Sequence, residues 1–179
     1  TSISILKANS TIELYTINVY LDENIRIYAR LSPNATGTVT YSMPGYYSPR
    51  TKDIIGSTSN WYISPLTSGN YTVLASYNGD KNYYASNTTF ILNVNQRKSI
   101  LNVQIDDVTK DERVTAIVRL TTDIGDAISG TVTLKINGNS YDVIVSKGKG
   151  SMVLGKLNVG SYVYFANYEG NDDYFKNYY

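Results

Sequence analysis

The sequence predicts an all-β protein of two tandem sandwiches, and three observations carry that expectation. They are an internal repeat with a period near 90 residues, apolar residues alternating with polar ones, and turn signals at short spacing. The repeat is plainest downstream: Leu66, Gly69, Tyr71, Ala75, Tyr77, Gly79 and Tyr83 return 91 positions later as Leu157, Gly160, Tyr162, Ala166, Tyr168, Gly170 and Tyr174. Upstream, Gly37, Thr38, Val39 and Thr40 return as Gly130, Thr131, Val132 and Thr133, an offset of 93, and Arg30 and Leu31 as Arg119 and Leu120, an offset of 89. The drift in offset marks loop insertions between related domains.

Taken in order, residues 1–9 are an extra segment with Ile3 and Ile5 on one face and Ser2 and Ser4 on the other. If Ser99 and Ile100 match Thr11 and Ile12, this segment exceeds what one sandwich needs and reads as a closing strand. Ile3 and Ile5 then take the places of Phe90 and Leu92, with Leu6 beside them. Matching Ile5 and Leu6 to Ile91 and Leu92 instead would turn both isoleucines outward. Residues 10–95 form the first domain. In it Ile25, Ile27 and Ala29 alternate with Arg26, Tyr28 and Arg30, the period of a half-buried strand. Asn78-Gly79 marks a turn, and residues 87–94 close the domain with Phe90, Leu92 and Val94 on one face. Residues 96–98 link to a second domain, 99–179, where Val114, Ala116 and Val118 alternate with Thr115, Ile117 and Arg119 and Asn137-Gly138 marks a hairpin. Nothing after Tyr178 and Tyr179 supplies its closing strand, so an acceptor groove is expected there.

The spacing Leu-x-x-Gly-x-Tyr sharpens the architecture to immunoglobulin-like. A tyrosine at the start of the sixth strand whose hydroxyl turns back to the backbone fastens Greek-key sandwiches, and Tyr71 and Tyr162 fit that role. Through Gly69, Tyr71, Val73, Ala75, Tyr77, Gly79 and Asp80 the first copy resembles the immunoglobulin-like repeats of bacterial and archaeal surface proteins. The second copy departs from that pattern at Tyr164 and Asn171.

Composition excludes several function classes. With no His and no Cys there is no Ser-His-Asp or Cys-His nucleophile, no zinc site of the usual nitrogen and sulfur type and no disulfide. Lys and Arg total 16 against 15 Asp and Glu, and no basic run occurs, so nucleic acid is not an expected partner. No apolar stretch approaches the ~18 residues of a membrane span, so membrane insertion is not expected either. Thr1 follows no basic-then-apolar leader and reads as a processed N-terminus or a boundary within a longer chain. No cofactor, catalytic residue or metal site is expected. The carboxylate pairs Asp22 and Glu23, Asp106 and Asp107, and Asp172 and Asp173 lack the spacing of a glycosidase or an EF-hand and read as solvated loop ends.

A spare strand at one end and a vacancy at the other imply head-to-tail homopolymerisation by strand donation, the partner being another copy of the chain. In this layout, and in its Tyr-rich, Cys-free composition, the chain resembles subunits of archaeal thread-type pili. That resemblance implies a secreted, glycosylated extracellular filament for adhesion or biofilm, without enzymatic activity. Alternatives are a pair of modules from a longer surface adhesin and a carbohydrate-binding module. Asn9, Asn34, Asn70 and Asn87 each open an Asn-x-Ser/Thr sequon and are the candidates for N-linked glycans. Trp61 and Tyr62, with Tyr46 and Tyr47, are the candidates for a sugar-stacking platform. Lys7, Lys52 and Lys110 are the amines considered for a Lys-Asn crosslink, which needs a buried acid in an apolar setting.

Overall fold

The computed structural model describes residues 1–17 and 19–179, and among these every regular element is a strand. The chain divides into two compact units, Thr1–Asn95 and Gln96–Tyr179. Unit 1 holds β1 (Ile12–Tyr15), β2 (Val19–Tyr20), β3 (Ile25–Leu31), β4 (Thr38–Met43), β5 (Tyr47–Asp53), β6 (Thr58–Ile63), β7 (Gly69–Tyr77) and β8 (Ser86–Asn95). One sheet runs β1-β3-β6 and the other β2-β8-β7-β4-β5. Unit 2 holds β9 (Ser99–Ile105), β10 (Val114–Thr122), β11 (Gly130–Ile136), β12 (Asn139–Val145), β13 (Lys149–Gly155), β14 (Tyr164–Tyr168) and β15 (Asn177–Tyr178), in sheets β13-β10-β9 and β12-β11-β14-β15. Each unit is an immunoglobulin-like sandwich.

Alternation decides which side chains enter each core. In β3, Ile25, Ile27, Ala29 and Leu31 are buried while Arg26 and Arg30 face water, and in β10 Val114, Ala116, Val118 and Leu120 do the same. At the β11–β12 hairpin Asn137 and Gly138 both take positive φ, the two-residue turn whose twist matches its strands. Gly79 and Gly170 share φ of +80°, and a Cβ on either would lie 2.6 Å from the carbonyl oxygen of Tyr83 or Tyr174. The same tight turn therefore follows β7 in unit 1 and β14 in unit 2.

Strand register corrects one alignment. Ile12 pairs with Leu31 and Leu101 with Leu120, so Ile12 corresponds to Leu101 and not to Ile100. The physical reason is facing: Leu101 is buried, whereas Ile100 points outward.

Candidate functional site

The two units differ at one sheet edge. In unit 1, β8 pairs along the whole of β7, from Gly69 opposite Val94 to Tyr77 opposite Ser86, and its far end pairs in parallel with β2. In unit 2 only the start of the equivalent strand is present. Asn177 and Tyr178 pair with Tyr168 and Asn167, and Tyr179 exchanges backbone hydrogen bonds with Ala166 at 3.0 and 2.9 Å. The closing strand expected to be wholly absent is thus begun, and no described residue takes the places of residues 90–95.

Loss of that partner shortens the neighbouring strand. β7 spans nine residues and β14 five, and residues 160–163, the counterparts of 69–72, have no strand partner among the described residues. Val159 and Val163 are left 84% and 74% exposed. The other bank is equally bare. Glu112 accepts the Thr109 backbone N–H at 2.7 Å, as Glu23 accepts that of Tyr20 at 3.2 Å, so Val108 and Thr109 correspond to Val19 and Tyr20. The Thr109 N–H holds the Glu112 carboxyl below its ordinary range. Val19 is buried under β8, while Val108 is 42% exposed. Between the banks lies a groove of about 380 Å³ whose lining includes Ile105, Val114, Ile136 and Leu157. The groove thus sets unpaired backbone beside apolar side chains, the combination that strand addition uses.

The N-terminal segment has a matching geometry. Ala8 bridges Tyr83 in parallel, with Ala8 N–H to Asn82 O at 2.8 Å and Tyr84 N–H to Ala8 O at 2.9 Å. Arg97 bridges Tyr174 in the same way, with Arg97 N–H to Asp173 O and Phe175 N–H to Arg97 O, both 3.0 Å. Ala8 and Arg97 are therefore equivalent, and residues 1–6 stand where residues 90–95 stand ahead of Arg97. This moves the expected register by two residues. Ile3 corresponds to Leu92 and Ile5 to Val94, both of which are buried in unit 1, and Leu6 falls at Asn95 on the opposite face. Ile3, Ile5 and Leu6 are 91%, 94% and 79% exposed, an unusual state for three large apolar side chains in six residues.

Among the other candidates, Tyr71 donates its hydroxyl to Thr67 O at 2.8 Å and Tyr162 to Asn158 O at 2.9 Å, so the same corner fastens both units. Asn9, Asn34, Asn70 and Asn87 are all exposed, Asn34 in a loop at φ 61°. The aromatic platform is not formed as expected. Trp61 is buried, its ring 5.8 Å from Tyr41 and 5.7 Å from Tyr47, while Tyr62 points to the opposite face as the next residue of a strand must. Tyr46 is exposed and meets Tyr71 edge to face at 4.8 Å, away from the buried Trp61 ring. Lys7, Lys52 and Lys110 are exposed, so none sits in the apolar setting an amide crosslink needs. Among the described residues no three acidic groups gather as a metal site would require, and no helix is long and apolar enough to cross a membrane.

No protein-family model and no curated protein matches the chain. Solved structures do. A two-domain fibronectin type III segment from chicken tenascin is similar over 93% of this chain and 95% of its own length, with TM-score 0.50 and 17% identity. Domains A168–A170 of titin are similar over 95% of this chain and 63% of theirs, with TM-score 0.51 and 16% identity. Fibronectin(III)-like modules of Clostridium thermocellum CbhA align over 94% of this chain and 91% of theirs, with TM-score 0.35 and 10% identity. What the chain shares with the tenascin and titin segments is the fold, tandem sandwiches of the fibronectin type III and immunoglobulin-like kind.

Proposed function

We propose that this protein is a non-enzymatic structural subunit of an extracellular filament, assembled when residues 1–6 of one copy complete unit 2 of the next. The reading rests on one observation, the equivalence of Ala8 with Arg97, which gives residues 1–6 the register of the strand that unit 2 lacks. In that register Ile3 lies opposite Tyr162 and Ile5 opposite Gly160, as Leu92 and Val94 lie opposite Tyr71 and Gly69. A contact between different surfaces of two copies builds a thread when its repetition does not close into a ring. The layout is similar to that of archaeal thread-type pili, and glycans on Asn9, Asn34, Asn70 and Asn87 suit such a surface.

Burying Ile3 and Ile5 contributes about 1.5–3 kcal/mol each. Ordering six residues costs about 1–2 kcal/mol apiece, which equals or exceeds that gain. The driving force is therefore completion of unit 2 and pairing of its bare banks.

Because the chain has no Cys, a disulfide reports register without competitors. Ser2→Cys with Val163→Cys should link copies into ladders under oxidation, matching Ile91 opposite Thr72 in unit 1. Ser4→Cys with Val163→Cys, the pair two residues out of register, should not. Deleting residues 1–8 should abolish polymers, and filaments from the truncated chain would overturn the reading.

A second reading takes support from β15, which already runs along β14 toward the groove. Residues following Tyr179 in a longer protein would then fill the groove within one molecule. A longer chain that stays monomeric with residues 160–163 protected from exchange would establish it.

A further inference from the structure

The outer face of sheet β1-β3-β6 carries a feature that strand donation does not use. Tyr62, Arg26, Tyr28, Tyr15 and Arg30 form a continuous ladder across three strands. The Arg26 guanidinium carbon lies 4.9 Å from the Tyr62 ring centre and 4.6 Å from that of Tyr28. The Tyr28 ring stacks on Tyr15 at 5.2 Å with 9° between planes, and Arg30 covers Tyr15 at 5.8 Å. Arg26 is thus held between two rings. Both ring centres lie within 4.9 Å of the guanidinium carbon, and a guanidinium has five N–H donors with which to meet a ligand.

Among the described residues neither Arg26 nor Arg30 has a carboxylate within 4.0 Å. Glu13, opposite Arg30 in register, is the acid on this face. Two arginines against one carboxylate leave the face positive, with Tyr62 61% exposed at its edge strand.

Unit 2 shows that the fold does not require the ladder. Its sheet β13-β10-β9 keeps the same pairing, yet Gln104, Ile117, Thr115 and Val153 stand where unit 1 has Tyr15, Tyr28, Arg26 and Tyr62. Only Arg119, at the place of Arg30, remains, and it has no ring pair around it. A guanidinium fork set between phenol rings is suited to an oxyanion that offers it two oxygens, carried on a sugar chain, with Tyr62 offering a ring for stacking.

We propose that this face of unit 1 binds an anionic polysaccharide, with Arg26 receiving its sulfate or carboxylate groups. Nucleic acid is the poorer fit, because two arginines and a net charge of +1 fall short of the clustered cations a phosphate backbone calls for.

The test is retention of the full chain on immobilised dextran sulfate, polygalacturonate, neutral dextran and duplex DNA at low ionic strength. Retention on one or both acidic polysaccharides and not on neutral dextran is the expected result, and which matrix holds it separates sulfate from carboxylate recognition. Arg26→Gln, Arg26→Lys and Tyr62→Ala should each weaken binding about tenfold, the lysine because it keeps the charge and loses the fork. Arg119→Gln should leave binding unchanged. Wild-type retention by Arg26→Lys and Tyr62→Ala would overturn the proposal, as would an equal loss in Arg119→Gln or retention on DNA as strong as on the polysaccharides. Circular dichroism of each variant separates lost binding from lost folding, and the lysine variant, which preserves charge and ring contacts, carries the test if the glutamine variant unfolds.

Discussion

Asp80 and Asn171 occupy the same turn in the two units, and the difference between them gives unit 1 a pH-sensitive group at a place where unit 2 has none. Asp80 accepts the Thr36 N–H and hydroxyl at 2.9 and 3.0 Å and the N–H groups of Asn82 and Tyr83 at 2.7 and 2.9 Å. The Asn171 side-chain oxygen accepts the N–H groups of Asp173 and Tyr174, each at 2.9 Å. Desolvation pushes the Asp80 carboxyl up, but the hydrogen bonds from Thr36, Asn82 and Tyr83 outweigh it and hold the group well below the usual carboxylate range. A carboxyl depressed in the folded state stabilises above its unfolded pKa of about 3.9, and that contribution fades as pH falls through the folded value. Asp80→Asn should therefore lower the denaturant midpoint of unit 1 at pH 7, with the deficit shrinking below about pH 4. A deficit that persists undiminished at pH 2 would refute the assignment. At the alkaline end burial pushes Tyr41 and Tyr77 up to about 12, with Asp80 adding to the rise at Tyr77. For these phenols stability is intact below the unfolded value of about 10 and is lost between there and 12. Absorbance titration should show Tyr41 and Tyr77 ionising together with unfolding of unit 1, well after the exposed tyrosines.

At the scale of elements, legibility followed from facing and failed where pairing partners decide. Alternation in β3 and β10 could be read directly, because burial of Ile25 and Ile27 in one, and of Ala116 and Val118 in the other, requires only a period of two. Register across a junction could not, since a shift of two residues keeps Ile3 and Ile5 on the same face and only the bridges at Ala8 and Arg97 separate the two choices. The side of Trp61 was equally hidden, because Trp61 and Tyr62 are adjacent aromatic residues and propensity favours both equally in a strand. Nor does sequence show that residues 160–163 lose their strand, since they repeat the spacing of 69–72 and differ only in lacking a neighbour. That difference is measurable by hydrogen exchange. Amides of residues 160–163 should exchange at least tenfold faster than those of 69–72 in the monomer, and a peptide of residues 1–8 should remove the gap. The turn after each of these strands is the rigid part. Gly79→Ala and Gly170→Ala each place a side chain at positive φ, costing about 1–3 kcal/mol before the contact with the Tyr83 or Tyr174 carbonyl is counted. Thermal unfolding should show the first lowering unit 1 and the second lowering unit 2.

For the molecule as a whole, the proposed strand donation would convert the stability of one unit into the lifetime of a polymer. A strand seated in unit 2 under that proposal would be held by the apolar floor and by both banks, so it would leave only when that unit opens, and the joint would persist for as long as unit 2 resists unfolding. Unit 1 is already closed by its own β8 and takes no part in that step. Leu31 and Leu120 are equivalent core positions, each pairing into the first strand of its own unit and each buried. Replacing either by Ala removes comparable packing and costs about 2–5 kcal/mol in its own unit. Leu120→Ala should then speed filament disassembly in mild denaturant by tenfold or more, since stability lost from contacts that break on opening appears in the unfolding rate. Leu31→Ala should leave that rate unchanged while lowering the unfolding midpoint of unit 1. Light scattering of filaments diluted into denaturant measures both. Equal acceleration by the two variants would mean that the joint does not lie in unit 2, whereas a response confined to Leu120→Ala places the lifetime of the thread in the one sandwich that another copy must finish.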